Sequence, residues 1–158
     1  MRRLLAFLCF LFLVSCGNSP ALVWKFTTGG RIYASPVVSN EQLITGSADS
    51  FLYDLDLKTG QVVWKKHFGA PFFSGPYLLN STLYSGTGKG DFVAMNPVNG
   101  KILWTVPTGS VIEYVPCADD QGLYFGNNSG FYHVDFDGKV LWQKSFNKFF
   151  HKLEWDLF

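Results

Sequence analysis

Four tryptophans stand at a nearly fixed interval along the chain. Trp24, Trp64 and Trp104 are spaced by 40 residues, and Trp142 follows 38 residues later. Three of them close the same local shape: Asp54-Leu-Asp-Leu-Lys-Thr-Gly-Gln-Val-Val-Trp64, Ala94-Met-Asn-Pro-Val-Asn-Gly-Lys-Ile-Leu-Trp104 and, one residue shorter, His133-Val-Asp-Phe-Asp-Gly-Lys-Val-Leu-Trp142. Self-similarity at this period means a row of like units, each burying a face against its neighbour. That excludes most folds before any single residue is interpreted.

The chemistry inside the unit is legible. Asp56, Asn96 and Asp135 can hydrogen-bond their own backbone where the chain leaves a strand, and Gly60, Gly100 and Gly138 supply the positive φ of a tight turn. The β-branched and aliphatic pair before each Trp suits a half-buried strand. The indole then offers a flat surface large enough to lie on the next unit. One copy would be an ordinary hairpin with a core Trp. Three copies at near-constant spacing point to one docking contact per repeat, with Trp24 a fourth.

Within the first unit, residues 29–38 (Gly29-Gly-Arg-Ile-Tyr-Ala-Ser-Pro-Val-Val38) are expected as a strand containing Pro36, followed by strands at 43–46, 51–56 and 61–65. A further strand is expected at 23–26, around Trp24. The second unit aligns without a gap, Pro76, Gly86, Gly100 and Trp104 matching Pro36, Gly46, Gly60 and Trp64. The third keeps Pro116, Gly126, Gly138 and Trp142 and absorbs two deletions. A Pro at one position of every unit cannot donate to a ladder, so that position must face away from pairing or sit at a bulge. Four short strands in about forty residues, with even turn signals and no helical period, is the pattern of a β-propeller blade.

Pro-Val-Val, then Leu-Ile-Thr-Gly-Ser-x-Asp, then Asp-x-x-Thr-Gly-x-x-x-Trp resembles the pyrroloquinoline quinone (PQQ)-type propeller repeat, with its Ala-x-Asp-x-x-Thr-Gly-Lys-x-x-Trp docking motif. The match covers roughly residues 22–144. It departs at Asp54, where Ala is usual, and at Asn96 and Asn99. The resemblance implies an all-β fold: a partial propeller of about three four-stranded antiparallel blades at 25–64, 65–104 and 105–142, with a degenerate tail at 145–158. Family members close rings of several blades, commonly eight. The chain is therefore expected to be an arc of a longer propeller, or to complete its ring by association through apolar open ends.

Ahead of the repeats, Arg2 and Arg3 precede an unbroken apolar run, Leu4 to Val14, far short of the ~20 residues of a spanning helix. It reads as a signal peptide over 1–15. Leu13-Val-Ser-Cys16 resembles the lipobox of bacterial lipoproteins, which implies lipid on Cys16 and a short tether at 16–21. Gly17, not Asp, follows the Cys. In the enteric-type sorting rule this favours the outer membrane, on its periplasmic face, over the inner. With Cys9 and Cys16 assigned to that leader, Cys117 is the lone thiol. It can form no internal disulfide and is expected in the core. Removing Arg2 and Arg3 leaves 11 basic against 12 acidic residues, and no basic stripe suggests nucleic acid.

Catalytic signals are weak. Gly86-Thr-Gly-Lys-Gly-Asp91 lacks the Walker spacing and a following helix, and it aligns with the hairpin turns Ser47–Ser50 and Asn127–Gly130. Asp54-Leu-Asp56 lacks the later oxygen ligands of a calcium loop. Asp119-Asp-Gln-Gly122 is a turn by composition. His67, His133 and His151 share no metal-site spacing. No catalytic, cofactor or metal residue is assigned. Quinoprotein dehydrogenases of this repeat family need an acidic catalytic base and calcium ligands and often carry a vicinal cysteine pair near the cofactor, and the chain has no such pair.

The reading is a non-catalytic, lipid-anchored propeller scaffold of the bacterial envelope. It resembles the propeller lipoproteins of outer-membrane β-barrel assembly, which implies a barrel-assembly subunit as one protein partner. A surface ligand-binding or sensing propeller, or a remnant of a PQQ-dependent dehydrogenase, are the alternatives.

Overall fold

The structure is a computed structural model and describes residues 21–146. The expected signal peptide, the lipid site at Cys16 and all but the first two residues of the expected tail lie outside those residues, as does His151. Twelve strands form three four-stranded antiparallel sheets, each in simple sequential order. Blade one holds β1 (Val37–Ser39), β2 (Gln42–Gly46), β3 (Phe51–Asp56) and β4 (Val62–His67). Blade two holds β5 (Tyr77–Leu79), β6 (Thr82–Gly86), β7 (Asp91–Met95) and β8 (Ile102–Pro107). Blade three holds β9 (Cys117–Ala118), β10 (Leu123–Asn127), β11 (Gly130–Val134) and β12 (Val140–Ser145). The fold is the all-β partial propeller that the repeat pattern leads one to expect.

Of the expected strands, the one at 29–38 is present only from Val37 onward, as β1, and the one at 23–26 is absent. Residues 29–36 form no strand; the innermost strand starts only at Val37, directly after Pro36, and likewise at Tyr77 after Pro76 and Cys117 after Pro116. The proline lacks the N–H a ladder needs, so it stands just ahead of the pairing and not within it. Residues 23–26 form no strand either, having no sheet beside them. At the other end, Ser145, counted above with the degenerate tail, is the last residue of β12.

Turn chemistry sets the register. Asn40 and Glu41 join β1 to β2 with φ of 47° and 62°, and Asn80 and Ser81 repeat this with 48° and 59°, the left-handed pair of a type I′ hairpin. The outer hairpin of every blade carries a β-bulge beside the residue opposite the Trp: between Asp54 and Leu55, between Ala94 and Met95, and between His133 and Val134. A bulge at that point adds local twist.

Because strand side chains alternate, each blade buries one face against each neighbour. Between blades one and two, Ile44 and Leu52 meet Leu83, Val93 and Met95, with Phe72 of the connecting segment inserted among them. Between blades two and three, Tyr84, Phe92, Ala94 and Val106 meet Leu123, Phe125 and Val134, with Ile112 inserted. The Phe92 and Phe125 rings stack at 3.9 Å. Each such fully buried side chain contributes about 1.5–3 kcal/mol of transfer free energy, so the blades are held together mainly by these two seams.

Candidate functional site

Three indoles bridge neighbouring blades in one geometry. Trp64, from β4, lies over the turn after β7: its Nε1 donates to Pro97 O at 2.9 Å. Trp104 does the same one blade further on, donating to Phe136 O at 2.9 Å. Trp24 donates to Leu57 O of blade one at 2.9 Å, although no strand supports it. Under each ring is a glycine. A Cβ added at Gly60 would come within 2.6 Å of Trp24, at Gly100 within 3.0 Å of Trp64 and at Gly138 within 2.6 Å of Trp104. These glycines also hold φ of 70°, 66° and 86°, so both conformation and space require Gly. The acidic or amide residue of each turn organises the loop. Asp56 Oδ1 accepts from Thr59 N at 2.7 Å, Asn96 Oδ1 from Val98 N at 2.8 Å and Asp135 Oδ1 from Lys139 N at 2.8 Å.

A second contact per junction was not visible in the motif. A Cβ on Gly46 would come within 2.4 Å of Phe72, and one on Gly86 within 2.2 Å of Ile112. The connecting segment thus drops a knob onto a bare strand glycine of the blade it has just left. The signal was present as a glycine and an apolar residue 26 positions apart, but nothing in local pattern says that they touch.

On blade three the same positions face an open groove of about 880 Å³. Cys117, Tyr124, Gly126 and Phe131 line it. Leu52 and Phe92, which occupy the position of Phe131 in the other blades, are fully buried, whereas Phe131 is 53% exposed. Trp142, the equivalent of Trp64 and Trp104, is 41% exposed. Cys117, expected in the core, is exposed. It sits where Val37 and Tyr77 pack against a following blade, and among the described residues blade three has no such neighbour. His133 is buried beside the groove, stacked at 4.1 Å on Tyr124 and 5.5 Å from Trp142. Packing accounts for its place. Tyr124 Oη donates to Asp119 Oδ2 at 2.8 Å. Backbone donation from Gln121, together with that phenol, holds Asp119 below the usual carboxylate range.

The other sequence candidates are hairpin parts. Thr87 Oγ1 accepts from Asp91 N at 3.0 Å, and Lys89 pairs with Asp91 at 2.9 Å, so the glycine-rich loop closes on itself. Asp119 Oδ1 accepts from Gln121 N and Gly122 N in the turn after β9. His67 packs on Phe51 at 4.9 Å. Among the described residues no three His, Cys, Asp or Glu side chains converge as a metal site would require.

One buried ionisable group stands apart. Asp54 is fully buried at the seam between blades one and two, at the β3 position that Ala94 and His133 hold in the others. Neither carboxyl oxygen has a hydrogen-bond partner. Desolvation pushes its pKa up to about 7. Asp49 is the contrast. Burial acts to raise it, but donation from Tyr53, Phe51, Ser47 and Gly29 outweighs that and leaves it below the usual range.

Solved structures share this architecture. BamB from Moraxella catarrhalis superposes with a TM-score of 0.66 at 16% identity, over 78% of this chain and 39% of its own. The quinohemoprotein alcohol dehydrogenase from Comamonas testosteroni gives 0.65 at 18% identity, over 73% of this chain and 21% of its own. The computationally designed protein Ika4 gives 0.70 at 17%, over 82% of both chains. The chain thus spans well under half the length of the two natural proteins. At these identities the likeness shows the fold alone. A search of curated proteins returns no match. The family model described as "Outer membrane protein assembly factor BamB" matches residues 16–71 and 52–148, which is most of the sequence, and on that ground the chain belongs to the BamB family of PQQ-type repeat proteins.

Proposed function

We propose that this chain is a lipid-anchored, non-catalytic propeller scaffold of the bacterial envelope, held through Cys16 at the periplasmic face of the outer membrane, where it binds protein partners including a barrel-assembly subunit. The family match carries the reading, since the family is described by outer-membrane protein assembly. The lipobox-like Leu13-Val-Ser-Cys16 ahead of the repeats supports the anchor.

The geometry supports a binding role over a chemical one. The motif residues are spent on joining blades, and the loops entering β1, β5 and β9 occupy equivalent places in successive blades. They present Tyr33, in ring contact with Phe73 at 5.8 Å, and Tyr114, 68% exposed. Large amphipathic rings at one rim suit a protein interface. Co-purification in mild detergent is the test. Recovery of the barrel-inserting subunit with the tagged full chain, lost in Tyr114→Asp, is expected. Recovery of no envelope protein, or an absorbance change and dye reduction on adding PQQ with calcium, would overturn the reading in favour of a sensing propeller or a dehydrogenase remnant, respectively.

A further inference from the structure

We propose that the open face of blade three docks on blade one of a second copy of this chain, with Ile32 of that copy seated on Gly126 and Trp142 taking over Gly60 from Trp24. The interface continues the two seams inside the chain. At each seam a knob eight residues after a Trp lands on a strand glycine of the blade before: Phe72 on Gly46, and Ile112 on Gly86. Both knobs are fully buried. The same count from Trp24 gives Ile32, which is 49% exposed. The matching glycine is Gly126, in the wall of the groove with Tyr124 and Phe131. Among the described residues, the nearest atoms to a Cβ added there belong to Phe131 and Gly130 of its own blade. Blade one thus presents a knob without a seat, and blade three a seat without a knob.

The surrounding positions match as well. Val38 and Leu43 pair across the ladder and share a face with Leu55. Val38 is 54% exposed and Leu43 half-buried, whereas Leu83, the counterpart of Leu43 in blade two, is fully buried in the first seam. The inner half of this face of blade one is therefore open. Its outer half is covered by a stand-in. Trp24 lies over Gly60 and donates to Leu57 O at 2.9 Å, and Phe26 meets Tyr53 edge to face at 5.3 Å. Residues 21–28 do this without joining any sheet. They show that Gly60 takes an indole from outside blade one, as Gly100 takes Trp64 and Gly138 takes Trp104.

Trp142 and Trp24 cannot share Gly60, so docking exchanges one indole for another. Trp142 comes on a paired strand, and Lys144, two residues on, falls where half-buried Lys66 stands in β4. Trp24 has the advantage of its tether, an effective concentration of about 1 mM. At about 1 µM of chain it keeps the seat and the chain is a monomer. The second copy gains at higher concentration by burying Ile32, Val38 and Phe131, which Trp24 leaves bare. Two blade-three faces pairing with each other would set one glycine seat against another with no knob between them, so Ile32 favours the head-to-tail arrangement.

The test is sedimentation of the full chain in mild detergent, from about 1 µM to about 100 µM. Trp24→Ala removes the competitor and is expected to tighten association at least tenfold over wild type. Trp24→Phe keeps a ring but loses the bond to Leu57 O; it should shift association in the same direction, and it carries the test if Trp24→Ala does not fold. In either background Gly126→Val should abolish association. It fills the seat from the strand side, where the nearest atom to the added Cβ is the edge of the Phe131 ring at 3.1 Å. Ile32→Asp should abolish association too. Mixing the Gly126→Val and Ile32→Asp chains should restore it, since each keeps the face that the other has lost. A folded Trp24 variant that stays monomeric at the highest concentration would overturn the proposal, and so would association that survives Gly126→Val. Association that each variant abolishes and mixing does not restore would mean a face pairing with itself, which overturns it as well. Neither lipid on Cys16 nor a barrel-assembly subunit takes part in this contact, so its failure leaves the proposed function to its own test.

Discussion

The indole of Trp64 and the turn at Gly100 form one joint: the ring leaves only 3.0 Å to the point where a Cβ would stand, and its Nε1 reaches over to Pro97 O at 2.9 Å. Gly100 is therefore fixed twice, by a φ of 66° and by the ring above it. Gly100→Ala is expected to cost about 2–3 kcal/mol, part from the left-handed backbone and part from lifting the indole. Urea unfolding followed by Trp fluorescence checks this. A loss under 0.5 kcal/mol would mean that the joint is loose.

The same joint separates the four indoles by consequence. Trp104 is anchored on the following blade, whereas Trp142 has no turn to lie on among the described residues. Trp104→Ala should cost about 2–4 kcal/mol. Trp142→Ala should cost less than half of that in the same denaturation series, and equal losses would show that Trp142 is docked as well.

Asp54 gives the chain a built-in pH dependence. Its pKa is raised by desolvation from an ordinary 3.8 to about 7. Folding therefore favours the neutral acid, and the contribution of this group is most favourable below about pH 4 and is lost as pH rises through 7. Asp54→Ala, the residue found at position 94, is expected to be near neutral at pH 4 and to stabilise by about 1–3 kcal/mol at pH 8.5, where a bare carboxylate would otherwise be buried. Melting temperatures across that range check the sign; a wild type more stable at pH 8.5 than at pH 5 relative to Asp54→Ala would contradict it.

Asp49 should behave in the opposite direction. Its carboxylate accepts from Gly29 N at 2.7 Å, Phe51 N at 3.1 Å and Tyr53 Oη at 2.8 Å, and its pKa is lowered on balance. The stabilisation is present above the ordinary carboxylate pKa and fades as pH falls through the lowered one. Asp49→Ala should cost about 1–3 kcal/mol at neutral pH and progressively less on acidification. It should also loosen the segment that carries Trp24, seen as faster amide exchange at Gly29.

The repeat, its strands and its turn glycines were legible in the residues because each is a short-range matter. A turn needing positive φ selects Gly within a few positions, and strand pairing across a hairpin is set by the loop between. Asp56, Asn96 and Asp135 could be read as turn organisers for the same reason. The prolines misled over strand length: their missing N–H excluded pairing at that residue, but only the ladder showed that pairing starts one position later. Contacts between units were beyond local pattern. That Phe72 lands on Gly46, that Cys117 faces an open groove while Val37 and Tyr77 are covered, and that Asp54 is sealed between two sheets all depend on how one blade lies against the next. Spacing along the chain specified that the units are alike. Which face of each is covered is decided by the rigid-body packing of sheets, because burial is a property of the neighbour as much as of the residue.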